Sequence, residues 1–282
     1  MSIQQLQEKL DRHLAYLEQD KNNSHLLLST GLLKAQILHH QQKITDAIML
    51  LEQLFLEHQS SAEITGLLSL LHFDNQDAVK AESFSKKALA LNSSNYEAQL
   101  VQILLKALQN NATLDEINNL IEIKPLDSRL WFVLGTTQMR HMNFPAAEQA
   151  FLQTTTLFPN FYDSWICAGW CHLLQNNLDK AILSYQQAIN IEPETADGFA
   201  GLSLVHALQN NIIEAKKKLQ ISESLDSECF LAAVSRIIIA NQSNPEEAAK
   251  QFNKTFPSVA PEINRILNLA MLTTCTDQKT MH

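Results

Sequence analysis

The stretch DSWICAGWCHLLQNNLDKAILSYQQAINIEP, Asp163–Pro193, decides how the chain is read. It holds two runs with helical apolar spacing, joined by the polar corner LQNN at Leu174–Asn177, and it closes on a proline. LQNN recurs at Leu108–Asn111 and at Leu208–Asn211. The later two copies are 34 residues apart, and the first lies 66 residues before the second, two short of a double period. A fixed period of this size marks a chain assembled from repeated structural units.

Other columns keep the same period. Ala147, Ala181, Ala215 and Ala249 recur every 34 residues, as do Ala47 and Ala81, and the step from Ala81 to Ala147 is again 66. A two-residue deletion therefore falls in the unit that holds Leu108. Trp131, Trp165 and Phe199 form a second column. Pro125, Pro159 and Pro193 form a third, with Pro261 two periods further on. Phe151, Tyr185 and Leu219 form a fourth, and Gly135, Gly169 and Ser203 a fifth.

Each column has a physical reason. A bulky residue early in the first helix fills the gap to the second. Gly or Ser at the next crossing admits close approach, and the Ala column is its partner on the second helix. Proline stops the second helix and restricts the residue before it. Asn in LQNN tolerates left-handed backbone at the end of the first helix, so the triplicate reads as a corner and not as a binding motif.

The succession bulky residue, Ala-Gly, aromatic-type ring, Ala, aromatic, Ala, Pro in Trp165, Ala168-Gly169, His172, Ala181, Tyr185, Ala188 and Pro193 resembles the tetratricopeptide repeat. The resemblance is specific over Ser128–Pro261 and weaker before Pro125. It implies an all-α, right-handed α-solenoid of about seven helix-turn-helix repeats, beginning near residues 28, 62, 94, 128, 162, 196 and 230. The expected organisation is an N-terminal capping helix over 1–27, degenerate repeats over 28–127, well-formed repeats over 128–261, and a C-terminal capping helix and tail over 262–282. The stripe Ile3, Leu6, Leu10, Leu14 and Leu17 suits the first cap; Ile263, Ile266, Leu267 and Ala270 suit the second.

Composition agrees with helices. The 282 residues include only 6 Gly and 7 Pro, and 45% are hydrophobic. Net charge is −9, which disfavours a nucleic-acid partner. The N-terminus lacks a basic region followed by an apolar run, and no stretch approaches the about 18 uninterrupted apolar residues of a membrane span. The expectation is a cytoplasmic protein without membrane insertion, its four cysteines reduced.

The resemblance also implies a concave surface lined by the first helix of each repeat. Its positions here include Arg129, Phe132, Val133, Thr136, Met139 and Arg140, then Asp163, Ile166, Cys167, Trp170, Leu173 and Leu174, then Asp197, Ala200 and Leu204. Leu32, Leu33, Ile37, Leu67, Leu70 and Phe73 stand at the matching places further upstream. Some family members hold a C-terminal carboxylate with Lys and Asn at these positions; apolar residues replace them here, so that clamp is absent. The expected site is a groove for a peptide or amphipathic helix, with Phe132, Val133, Thr136, Met139, Ile166, Trp170, Leu173 and Leu204 as its lining. Self-association into a homodimer through the same surface is the alternative.

Chemistry is sparse. Cys167 and Cys171 share a helix face, but a closed zinc site needs two more ligands, and His72, His172 and His206 read as packed, hydrogen-bonded rings. No base accompanies the thiols, and no glycine pair precedes Lys-Ser/Thr. The expectation is a non-catalytic interaction scaffold, an adaptor or partner-specific chaperone, with no cofactor and no metal.

Overall fold

The computed structural model describes residues 3–20 and 23–241; the expected C-terminal cap, Ala249 and Pro261 lie outside them. The described residues form fourteen α-helices and no strand. They divide into two compact units at Leu120/Ile121.

In the first unit, α1 (Ile3–Gln19) packs on α2 (Ser24–His40), which pairs with α3 (Ile44–Glu57). Next come the pair α4 (Ala62–Asp74) and α5 (Ala78–Leu91), then α6 (Tyr96–Leu108). Only Leu6 and Leu10 of the α1 stripe are buried, against Leu33 and Ile37 of α2. Ile3 and Leu14 stay exposed. Helix α2 begins before residue 28 because the Asn23 side chain caps it, accepting from the Leu26 N–H at 3.0 Å. The first helix of the third repeat starts at Tyr96: Asn95 caps α6, and its side chain also donates to the Ala62 carbonyl at 3.0 Å. Helix α7 (Leu114–Ile123) crosses the division between the units.

The second unit contains the pairs α8 (Ser128–Arg140) with α9 (Phe144–Leu157), α10 (Tyr162–Leu174) with α11 (Leu178–Ile191), and α12 (Ala196–Leu208) with α13 (Ile212–Leu225). Helix α14 (Phe230–Asn241) packs on α12 and α13. The first helices therefore form one layer, α8, α10, α12 and α14, each touching the next.

The corners explain LQNN. Residues Gln42, Gln76, Asn110, Met142, Asn176 and Asn210 all have φ between 58° and 62°. At Asn177 the N–H reaches the His172 carbonyl at 2.8 Å, and the Asn176 N–H reaches Leu173 at 2.9 Å. This is a Schellman stop, which satisfies the last carbonyls of the first helix. Asn supplies the left-handed residue in three corners; Gln and Met accept it in the others because the following pair closes there regardless.

The second helices end at Ile123, Leu157 and Ile191, just ahead of Pro125, Pro159 and Pro193. Trp131 and Trp165 do more than fill a gap. Their indole N–H groups donate to the carbonyls of Pro125 at 2.7 Å and Pro159 at 2.8 Å, so the Trp and Pro columns are coupled by a hydrogen bond six residues long. Gly135 faces Phe151, and Gly169 faces Tyr185: an added Cβ would lie 2.6 and 2.7 Å from the rings. Any larger residue would drive the paired helices apart.

Candidate functional site

The first-helix layer of the second unit holds all eight expected site residues. Leu173 and Leu204 correct the expectation: both are 0% exposed. They belong to the unit's main core with Trp170, Leu174, Leu208, Leu231, Val234 and Ile238. Gly201 admits the Tyr185 ring of α11, and the small Ser203 lets α14 settle on α12, its hydroxyl bonding Ser235 at 2.6 Å and the Ala215 carbonyl at 2.7 Å. Leu204 is enclosed within that packing. Val133 is also buried, and Trp170 retains 9% exposure.

The other members keep partial exposure. Phe132 packs its ring against Phe161 at 4.8 Å and Phe151 at 5.7 Å, leaving the remainder open. Met139 and Ile166 rest on the core without being enclosed. Thr136 is half-buried and donates to the Val133 carbonyl at 3.0 Å, so its methyl is free to face outward contacts. In the first unit, Leu33 and Ile37 lie beneath α1, and Leu67 and Leu70 are buried.

Electrostatics add a feature the apolar pattern did not single out. Asp163 on α10 and Asp197 on α12 occupy equivalent positions one repeat apart. Asp163 is exposed; partial loss of water around its carboxyl, and the charges of Glu192 and Asp197, push it above its ordinary value. Cys229 donates its thiol hydrogen to Asp197 at 3.5 Å. The Cys167 thiol is pushed up to about 12 by burial, with Asp163 and Asp197 adding to it. Burial raises Cys171 and Cys229 as well, so the three described cysteines are neutral free thiols rather than nucleophiles.

The histidines are packed, as expected, but less fully bonded. His72 stacks on Phe84 at 5.4 Å, and neither ring nitrogen has a hydrogen-bond partner. His172 is buried with Nδ1 3.5 Å from the Glu148 carboxylate, which also accepts from Gln175. His39 lies 2.6 Å from Asp74 across α2 and α4. Among the described residues, no three His, Cys, Asp or Glu side chains are grouped for a metal ion, and no helix is long and apolar enough to cross a membrane.

The described residues thus form a helical-repeat array, with half-open apolar side chains along one helix layer of the second unit. Residues 162–195, which are α10 and α11 with their flanks, match the model of the tetratricopeptide repeat. Among solved structures, the fold resembles YrrB, described as "a TPR protein with an unusual peptide-binding site" (TM-score 0.53, 19% identity, 66% of this chain and 97% of that one). It also resembles PilF of Pseudomonas aeruginosa (TM-score 0.54, 13% identity, 73% of this chain and 96% of that one). No curated protein matches the chain in a sequence search. The chain thus carries one tetratricopeptide repeat by sequence, at residues 162–195, and shares its helical-repeat fold with these solved structures.

Proposed function

We propose that the protein is a non-catalytic scaffold, an adaptor or partner-specific chaperone of the cytoplasm, that binds an apolar or amphipathic protein segment on the first-helix layer of its second unit. The observation that carries this is the half-open row Phe132, Met139 and Ile166, with the Trp170 edge beside it, on a rigid set of packed helices. Aromatic and long apolar side chains held in place make good anchors, because little side-chain freedom remains to be lost on binding. YrrB, a protein of like fold, is described as having a peptide-binding site. An acidic chain is a poor match for nucleic acid.

Site-specific photocrosslinking tests the reading. A benzophenone residue at Ile166 should join the protein to a partner chain in the native cell, whereas the same group at Leu183, 62% exposed, should not. Crosslinks from Ile166 to a second copy of the chain would replace the scaffold with a homodimer. Equal crosslinking at both positions would refute a localised site.

A further inference from the structure

We propose that Glu148, His172 and Lys180 form an acid-sensitive clasp that fastens the repeat α10–α11 to α9 of the repeat before it. The clasp stands whether or not the apolar row binds a partner. His172 is 3% exposed, and its Nδ1, 3.5 Å from Glu148 Oε1, makes no hydrogen bond. The Glu148 side chain is itself only 14% exposed. Its other oxygen accepts from Gln175 Nε2 at 2.6 Å, and Lys180 Nζ lies 3.6 Å from Oε1. Gln175 also donates to the Cys171 carbonyl at 3.2 Å. One carboxylate on α9 therefore gathers the end of α10, the corner after it and the start of α11.

A neutral ring suits this place, because Lys180 and Gln175 already serve the carboxylate. Protonation sets a second cation against the same carboxylate in a site almost closed to water. The imidazolium must draw Glu148 away from Gln175 and Lys180, or the joint must open and hydrate it. Burial is the largest cause holding the ring below its ordinary 6.5; Glu148 opposes it and Lys180 adds to it. The other titratable or charged side chains of the helices packed on α10 are Arg129 and Arg140 of α8, Asp179 and Tyr185 of α11, and Asp197 and His206 of α12, and none of them acts on the ring. The opened joint thus takes up a proton at higher pH than the closed one. Closure is strongest above about pH 6.5 and weakens as pH falls toward the lowered closed-state value.

The first unit carries a looser copy. His72 and Lys80 precede His172 and Lys180 by 100 residues, and Glu52 of α3 lies 3.9 Å from the His72 ring. The Glu52 side chain is 46% exposed and keeps its own water, so its hold is weaker. The third ring of the column, His206, has Glu214 in place of the lysine and Ile182 in place of Glu148, and the clasp is not built there.

Hydrogen exchange of the full chain from pH 7.5 to 5.5, corrected for the intrinsic rate and resolved by mass spectrometry, reads the joint directly. The opening constant of the α10 amides should rise by up to about tenfold over this range, the limit set by one proton. His172→Phe should flatten the rise, and a rise that persists in that variant would overturn the clasp. Should His172→Phe fail to fold, the NMR titration of the His172 ring decides. Its midpoint should lie below 6.5 in the wild type and fall further in Glu148→Gln, which keeps an acceptor for Gln175 but removes the charge opposing burial. A midpoint at 6.5, or one that Glu148→Gln leaves in place, would overturn the proposal.

Discussion

Tyr185→Phe isolates one atom. The phenol is fully enclosed, its ring is held between Gly169 and Gly201, and its hydroxyl makes no hydrogen bond. Burial holds the group well above its ordinary pKa, so it is neutral across the working range and no charge is lost on substitution. Leaving a hydroxyl buried without a partner costs about 1–3 kcal/mol. Removing it leaves a void no larger than one oxygen, a penalty of about 0.5 kcal/mol at most by the cavity relation. The balance favours the variant by about 1 kcal/mol, or a rise in Tm of about 2–4 °C for a domain of 150–250 residues. Thermal unfolding followed by circular dichroism at 222 nm reads this directly, with urea titration checking that m is unchanged. An unchanged or lowered Tm would mean that the hydroxyl already has a partner, and the orphan argument would fail. A raised Tm would show that the buried hydroxyl without a partner costs the fold stability.

Four further outcomes follow from the packing. Gly169→Ala puts a methyl 2.7 Å from the Tyr185 ring and should lower stability by about 1–3 kcal/mol in denaturant titration; a neutral result would show that the ring can move aside. Met142→Asn gives the left-handed corner at φ 58° the residue used at Asn110, Asn176 and Asn210, and should stabilise by about 0.5–1 kcal/mol. Trp165→Phe removes the bond to the Pro159 carbonyl and should destabilise by about 1 kcal/mol beyond the lost ring area, measured against Phe199→Leu as a packing control. His72 is held below its ordinary 6.5 by burial first and by Lys80 next, with Asp77 and Glu52 opposing. The unfolded chain therefore gains a proton before the folded one does. The stability His72 contributes is complete above about pH 6.5 and is lost as pH falls toward the lowered folded value. Tm measured from pH 7.5 to 5 should fall less steeply for His72→Phe, and parallel curves would refute the assignment.

Much of the fold was legible because its signals are local. The left-handed Asn, the helix-stopping Pro and the Gly opposite an aromatic each act within one repeat, so a 34-residue period exposes them. The pairing of Trp with the preceding Pro carbonyl was visible only as two columns; their hydrogen bond needs the turn between them to be built. The candidate site was less legible. Helical spacing puts Leu173 and Leu204 on the same face as Ile166, yet periodicity carries no measure of how deeply a neighbouring helix covers that face.

By itself, then, the sequence determined the repeat, its helix pairs, its corners and the family it resembles, since these rest on contacts between residues close along the chain. Tertiary structure alone decided that α14 packs over α12 and encloses Leu204, that α1 covers Leu33 and Ile37, and that the Cys229 thiol meets Asp197. Exposure and electrostatic proximity are properties of pairs of residues tens of positions apart. They exist only once the helices are stacked, because stacking alone sets which side chains lose water and which charges lose their distance.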